Sequence, residues 1–169
     1  MTAEEQNRLF SDWIAHHGAV LHHVAHGFAQ GADRHDLMQE LMLAVWRAVP
    51  GYRGGAQVST FLYRVAHNTA LTWHRTQRNY RDRLDRFSLI PPAESTGNSS
   101  RHEALEHIYT AIRGLPPLDR SIILLHLDGV DYAEIAAIHG LTEGNVGARL
   151  SRLKQKLTTA LEAITHELR

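Results

Sequence analysis

The chain has 169 residues, of which 43% are hydrophobic and 21% are charged, enough for one packed domain or two small ones. It contains no cysteine, which excludes disulfide bridges and thiolate metal sites. No apolar run approaches the roughly 20 residues of a membrane span, and the acidic N-terminus lacks the apolar core of a signal peptide, so we expect a cytoplasmic protein.

The formal net charge of +0 conceals an uneven distribution of charged residues. Residues 1–50 carry six acids against three arginines, whereas residues 75–86 carry five arginines against two aspartates. Residues 145–156 carry four cations and no acid. This distribution predicts an acidic surface near the start of the chain and two basic patches after it.

Apolar residues recur at helical spacing almost throughout, which predicts an all-α fold. Helices are predicted over residues 4–16, 18–29, 34–49, 60–79, 103–113, 117–128, 132–138 and 143–166. Asp33 and Ser59 are predicted to cap the third and fourth of these helices. Asp131, with Glu134 three residues later, resembles a capping box for the seventh, and Thr142 is suited to cap the last.

A proline- and serine-rich stretch, Ser88–Ser100, interrupts the helical pattern. Pro91 and Pro92 do not fit inside a helix, and the polar residues that follow offer little to bury. We therefore predict two small helical domains, residues 1–85 and 103–169, joined by a flexible linker over 86–102.

The segment 131–157 has the pattern of a helix-turn-helix: a short helix, a Gly140–Leu141 turn and a longer helix. One stripe of the last helix is apolar and predicts a core-facing side: Val146, Leu150, Leu153, Leu157, Leu161, Ile164 and Leu168. A polar stripe lies about 100° away and contains Asn145, Arg149, Arg152 and Lys156. A third stripe lies nearly opposite the core-facing side and contains Gly144, Ala148, Ser151 and Gln155. Such a helix suits the major groove of duplex DNA, although an isolated basic helix is more often simply solvated.

The segment 36–46 predicts an amphipathic helix that buries Leu37, Leu41, Val45 and Trp46. Its other surface carries Asp36, Gln39 and Glu40, which in the plainest interpretation are only solvated. The glycine-rich loop 51–58 follows and permits a sharp bend.

The helix after this loop is predicted to bury Phe61, Leu62, Val65, Thr69 and Trp73. Its opposite side is predicted to carry Arg64, His67, His74, Arg75 and Arg78. A basic helix beside a glycine-rich loop suits a single-stranded nucleic acid with an unstacked base. The simpler interpretation makes Tyr63 and Trp73 ordinary core aromatics, and we favour it for Trp73.

Three segments in this order resemble the extracytoplasmic-function (ECF) sigma factors of bacterial RNA polymerase: DLMQELMLAVWRAV, FLYRVAHNTALTWHR and LPPLDRSIILLHLDGVDYAEIAAIHGLTEGNVGARLSRLKQKL. The resemblance implies two domains, the family's region 2 and region 4. It also implies that the sigma factor itself has no cofactor and performs no covalent chemistry. Its implied partners are core polymerase and promoter DNA, and an anti-sigma factor is a further partner to test.

The resemblance also implies roles for individual residues. Contacts with the clamp of the largest polymerase subunit are implied for Asp36, Gln39 and Glu40. Contacts with the melted −10 element are implied for Arg53, Asn68, His74, Arg75 and Arg78. Contacts with the duplex −35 element are implied for Asn145, Arg149, Arg152 and Lys156.

Two departures from the family pattern affect these roles. Arg34 and His35 interrupt the acidic run that usually precedes the docking helix, which predicts altered core affinity. Gly147 and Ala148 stand before Arg149 where a cation and a serine are common, which shifts the expected base contacts to Asn145, Arg149 and Arg152.

Thirteen histidines in 169 residues are unusual, and several cluster near the N-terminus. His22 and His26 have an i, i+4 spacing that suits a metal, but no carboxylate lies at matching spacing, so a titrating surface is favoured over a metal site. Two other functions stay open. One is a conventional helix-turn-helix regulator with an N-terminal sensor or dimerisation domain, and the other is a histidine-rich metal-binding helical protein.

Overall fold

The computed structural model describes residues 1–84 and 100–167, and every regular element within these two ranges is a helix. The N-terminal half (1–84) contains α1 (Ala3–Phe28), α2 (Gly31–Ala48), a short 3₁₀ helix (Val49–Gly51) and α3 (Val58–Leu84). The C-terminal half (100–167) contains α4 (Ser100–Arg113), α5 (Pro117–Leu127), α6 (Tyr132–His139) and α7 (Glu143–Glu167). The predicted all-α fold is confirmed. Within these ranges no helix combines the length and the apolar character that crossing a bilayer requires.

Helix α1 is a single helix, so the predicted break near Gly18 is wrong. Thr2 begins it with a capping box, in which the Thr2 hydroxyl accepts from the Glu5 amide and the Glu5 carboxylate accepts from the Thr2 amide. A helical glycine costs about 1 kcal/mol relative to alanine. Burial of apolar residues such as Trp13 and Leu21 on either side of Gly18 outweighs that cost.

Two predicted helix caps are wrong. Helix α2 begins at Gly31, which has a φ of 60°, and Asp33 therefore lies in the first turn, where its carboxylate pairs with Arg81 of α3. Helix α3 begins at Val58, so Ser59 lies inside its first turn. These helices therefore begin three and two residues earlier than the predicted starts at residues 34 and 60.

Each half has an apolar core formed by its helices. In the N-terminal half, Leu37, Leu41 and Val45 of α2 are fully buried, as the sequence predicts, and Trp46 is half-buried. In the C-terminal half the core contains Ile112, Ile122, Leu125, Ile135, Val146, Leu150 and Leu153. The apolar stripe predicted for α7 is buried through Leu153 and half-buried at Leu157, Leu161 and Ile164, while Leu168 lies outside the described residues.

The two halves pack against each other, with α1 and α3 of the N-terminal half touching α4, α5 and α6. Gly27 of α1 lies so close to Leu124 of α5 that an added Cβ would be 2.5 Å from its Cδ1 atom. The Arg113 guanidinium of α4 donates to the carbonyl of His26 at 2.8 Å. The chain thus buries one continuous apolar core that draws on both halves.

The predicted linker is only partly described. Residues 85–99 lie outside the described residues, and α4 already begins at Ser100. The proposed limits of the two domains therefore stay a prediction.

Candidate nucleic-acid interface

The turn between α6 and α7 is fixed by three local features. The Asp131 carboxylate caps α6 by accepting from the Glu134 amide at 2.8 Å. Gly140 then adopts the left-handed conformation (φ 66°, ψ 34°), and the Leu141 amide donates back to the Ala136 carbonyl at 2.9 Å. The Thr142 hydroxyl accepts from the Asn145 amide at 3.2 Å and so caps the first turn of α7. Both caps predicted here, Asp131 and Thr142, are confirmed, but the predicted capping box is not complete, because the Glu134 carboxylate accepts from Thr60 of α3 instead of from the Asp131 amide.

The side of α7 away from the core is small and polar. Its exposed residues include Gly144, Ala148, Ser151 and Gln155, together with Asn145, Arg152 and Lys156. Short side chains let a helix approach the floor of a groove, and flanking cations then meet phosphates. The exposed side of α7 therefore has the chemistry that the sequence predicts for duplex binding.

Arg149 differs from the other basic residues of α7 because its guanidinium is engaged within the protein. Its Nη1 donates to Asp119 of α5 at 2.8 Å, and its Nε donates to the Asn145 side chain at 3.0 Å. Asp119 is 30 residues away, and local sequence spacing gave no signal for this pair. Arg149 therefore joins the recognition helix to α5 and orients Asn145, a role that the sequence did not reveal.

Gly147 lies beside an aromatic ring of the preceding helix. A Cβ at this position would lie 3.5 Å from Cε2 of Tyr132, the first residue of α6. An alanine here would make ordinary van der Waals contact with that ring, so packing against Tyr132 does not by itself require glycine.

The glycine-rich loop between the 3₁₀ helix and α3 is held by one aromatic residue. The Tyr52 hydroxyl donates to the Ala56 carbonyl at 2.6 Å, and Gly54 bends the chain with a φ of 73°. The Tyr52 ring meets Trp13 edge-on, with centroids 5.1 Å apart, and Phe61 at 5.2 Å. Arg53 is exposed on this anchored loop.

Helix α3 carries the predicted single-strand contacts on its outer surface. Asn68, Arg75 and Arg78 are exposed, whereas Trp73 is half-buried and packs against the core, as favoured above. His74 is half-buried, and its ring lies edge-on to Phe28 with centroids 6.4 Å apart. Burial and the nearby guanidinium of Arg120 lower the pKa of His74, so its ring is neutral at pH 7.

His67 does not lie on the exposed basic side of α3, where the sequence placed it. Its side chain is fully buried, and its Nδ1 lies 2.5 Å from the hydroxyl of Ser121 on α5. The sequence pattern failed here because a helix face that looks polar is covered by the other half of the chain.

A cavity of about 300 Å³ opens where α3 meets α5. Its lining consists of Leu71, His74, Arg75 and Arg78 of α3 and Pro117 of α5. Three of the residues assigned to single-strand contacts thus surround one opening at the boundary between the halves.

The acidic side of α2 is accessible. Asp36, Gln39 and Glu40 are all exposed, and the Gln39 amide lies 3.2 Å from the His35 ring. Arg34, which interrupts the acidic run in the sequence, turns toward the C-terminal half, where it meets Glu106 at 3.4 Å. Its charge is therefore directed away from the acidic surface.

The N-terminal histidines are dispersed among separate partners. His16 pairs with Asp12, His26 contacts the carbonyl of His22, and His23 lies 2.5 Å from the carboxylate of Asp128. The structure thus brings a carboxylate to His23 that the sequence spacing did not indicate. In the described parts of the chain, no group of three or more potential ligands has metal-binding geometry.

Comparison with known protein families defines the class of this two-part helical chain. The family described as Sigma-70 region 2 matches residues 13–80, which cover most of α1, α2 and α3. The family described as Sigma-70, region 4 matches residues 105–157, which include the helix-turn-helix. Both matches occur in the order that the sequence motifs predicted.

Individual relatives and structures agree with this class. The chain is 28% identical to the RNA polymerase sigma factor CarQ of Myxococcus xanthus, covering 94% of this chain and 92% of that protein. It is 26% identical to the ECF RNA polymerase sigma-E factor of Escherichia coli K12, covering 81% and 78%. The chain belongs to the ECF sigma factors of RNA polymerase.

Two solved structures share the fold. One is the sigma factor RpoE in complex with the anti-sigma factor NepR from Bartonella quintana, with a TM-score of 0.69, 20% identity and coverage of 90% of this chain and 95% of that one. The other is CnrH in complex with the cytosolic domain of CnrY, with a TM-score of 0.64, 24% identity and coverage of 93% and 90%. Both matches span the two halves of the chain.

Proposed function

We propose that this chain binds core RNA polymerase and directs it to promoters by contacting two separate DNA elements. The observation that carries this proposal is the presence, in one chain, of an exposed polar recognition helix and a separate basic helix beside a glycine-rich loop. A conventional regulator needs only the first of these surfaces. The chain performs no chemistry of its own in this role, since nucleotide addition belongs to the polymerase in the cytoplasm.

The upstream element is contacted as duplex by α7. Asn145 offers an amide for a base edge, while Arg152 and Lys156 are placed for phosphates. Arg149 acts mainly through Asn145, because its own guanidinium is held by Asp119.

The downstream element is contacted as a single strand by α3 and the loop before it. Arg53, Arg75 and Arg78 supply charge for the backbone, and Asn68 is an exposed polar residue of the same helix as Arg75 and Arg78. His74 lines the cavity beside Arg75 and contributes a neutral aromatic ring there.

Core polymerase is contacted by the acidic side of α2. Asp36, Gln39 and Glu40 are exposed and form a surface that suits a basic partner. Two structural neighbours were solved with anti-sigma factors bound. We therefore propose an anti-sigma factor as a third class of partner, to be sought among proteins that bind the chain and block its transcription activity.

In vitro transcription tests the proposed function. Purified chain added to core polymerase should start RNA synthesis at defined sites on fragmented genomic DNA, and core enzyme alone should not. A double variant, Arg152→Ala with Lys156→Ala, should keep core binding on gel filtration but lose these starts. A chain that binds duplex DNA yet directs no transcription would instead be a conventional regulator.

A further inference from the structure

One face of α3 is covered by the C-terminal half of the same chain. Thr60, His67 and His74 are spaced seven residues apart, about two helical turns, and so lie in one line along the helix. The Thr60 hydroxyl donates to the carboxylate of Glu134 on α6, and His67 contacts Ser121 on α5. The proposed single-strand helix is therefore partly occupied by the protein itself.

The centre of this contact is a chain of three polar side chains, His67, Ser121 and His139, which we call the histidine latch. The Ser121 hydroxyl lies 2.5 Å from Nδ1 of His67 and 2.9 Å from Nε2 of His139. His67 and Ser121 are fully buried. The Ser121 hydroxyl can donate its proton to a nitrogen of one ring and accept a hydrogen bond from the N–H of the other ring. The geometry therefore suits two neutral imidazoles.

A charge on His67 has no compensation at this place. Its Nε2 is buried without a hydrogen-bond partner among the described residues. The carboxylates of Glu134 and Asp128 are engaged by Thr60 and His23, and the one charged group that acts on His67 in the described residues is the ring of His139. A protonated imidazole would therefore be an unpaired buried cation.

The titration of the interface histidines agrees with this geometry. Burial, aided by repulsion from His139, lowers the pKa of His67 from 6.5 to about 3. Burial also lowers the pKa of His139 and of two further histidines at the boundary, His26 beside Tyr109 and His74 near Arg120. The pKa values of these four histidines would return toward 6.5 if the halves separated and water reached the rings.

We propose that this face of α3 is a docking surface for the chain's own C-terminal half, and that protonation of the histidine latch releases it. The inference rests on the proposed function, because release matters most if α3 must reach promoter DNA. In the closed form α5 and α6 cover Thr60 and His67, so the single strand reaches this face only after the halves separate.

Proton linkage determines whether acid favours the open or the closed form. The closed form binds fewer protons than the open form, so acid favours opening below the open-state pKa of 6.5. Between pH 7.5 and pH 5.5, His67 alone lowers the closed-to-open ratio about tenfold. Asp128 acts in the opposite direction, because burial in the closed form raises the pKa of its carboxyl.

Fluorescence energy transfer within the full chain tests release directly. The chain has no cysteine, so dyes can be placed on Ala15→Cys of α1 and Thr159→Cys of α7, both exposed. Transfer efficiency should change between pH 7.5 and 5.5 while far-ultraviolet circular dichroism shows the helices intact. Constant transfer, or a change that only accompanies helix loss, would overturn the proposal.

Two histidine variants test whether His67 is a site whose protonation opens the chain. His67→Gln is neutral at every pH and should remove the roughly tenfold part of the pH response that His67 supplies, whereas His16→Gln, on an exposed part of α1, should retain the full response. Equal responses from the two variants would refute the role of the latch.

Two glycine substitutions on α1 test docking without changing any histidine. Gly27→Ala inserts a Cβ against Leu124, whereas Gly18→Ala on the same helix meets only Ile14 of its own helix at 3.6 Å. Gly27→Ala should show the open-state transfer already at pH 7.5, and Gly18→Ala should not. Unchanged transfer in both would contradict docking.

These measurements contain neither polymerase nor DNA. A pH-dependent opening without any transcription activity would therefore refute the proposed function and leave the docking inference standing. The reverse result, transcription without opening, would refute docking alone.

Discussion

Arg149 and Arg152 lie three residues apart on α7 and look equivalent in the sequence, yet their surroundings differ. The Arg149 side chain is about 31% exposed and pairs with Asp119, which is 16% exposed, whereas Arg152 is exposed. A partly buried charged hydrogen bond stabilises a fold, while an exposed arginine mainly serves a partner.

Separate substitutions should therefore separate stability from DNA binding. Arg149→Ala should lower the free energy of unfolding by about 1–2 kcal/mol, since it leaves Asp119 without its partner. Arg152→Ala should change stability by less than about 0.5 kcal/mol but weaken upstream-duplex binding about tenfold. Urea denaturation and fluorescence anisotropy measure the two effects, and equal stability losses would show that the Asp119 pair contributes little.

At the scale of single elements, helix caps were predictable where the turn is tight and local. Asp131 and Thr142 cap α6 and α7 as the sequence indicates, because the short turns leave few other starting points. Asp33 and Ser59 do not cap their helices, because α2 begins at Gly31 and α3 at Val58, so both residues lie inside the first turn. At Asp33 a tertiary partner is visible, since its carboxylate pairs with Arg81 of α3.

Alanine at one confirmed and one failed cap position should reveal this difference. Asp131→Ala should lower stability by about 1 kcal/mol, because the Glu134 amide loses its acceptor. Ser59→Ala should change stability by less than about 0.5 kcal/mol, since alanine suits a helix interior. Thermal melts of both variants check this, and a larger loss for Ser59→Ala would mean that its hydroxyl has a structural role.

At the scale of the whole molecule, the placement of charge separates three surfaces. The acidic side of α2 and the recognition side of α7 are exposed, and the basic residues of α3 are exposed beside a face that the C-terminal half covers. The closed form therefore leaves the proposed polymerase contact accessible while it covers the face of α3 that carries Thr60 and His67.

Reversing charge on α2 should weaken polymerase binding specifically. Asp36→Lys with Glu40→Lys should lower core affinity at least about tenfold, because two attractive contacts become repulsive. Glu4→Lys with Glu162→Lys makes the same change in net charge at exposed positions elsewhere and should bind normally. Fluorescence anisotropy with labelled chain measures both affinities, and equal losses would indicate a general charge effect rather than a docking surface.

The sequence by itself determined the helical fold, the turn before α7 and the family, because these depend on local spacing and short-range caps. It also placed the acidic residues of α2 and the polar residues of α7 on accessible surfaces, since amphipathic periodicity fixes which side faces the core. Only the tertiary structure decided that Arg149 pairs with Asp119 and that His67 is buried against Ser121. Those partners lie 30 and 54 residues apart, and no local pattern reports which halves of a chain will pack together.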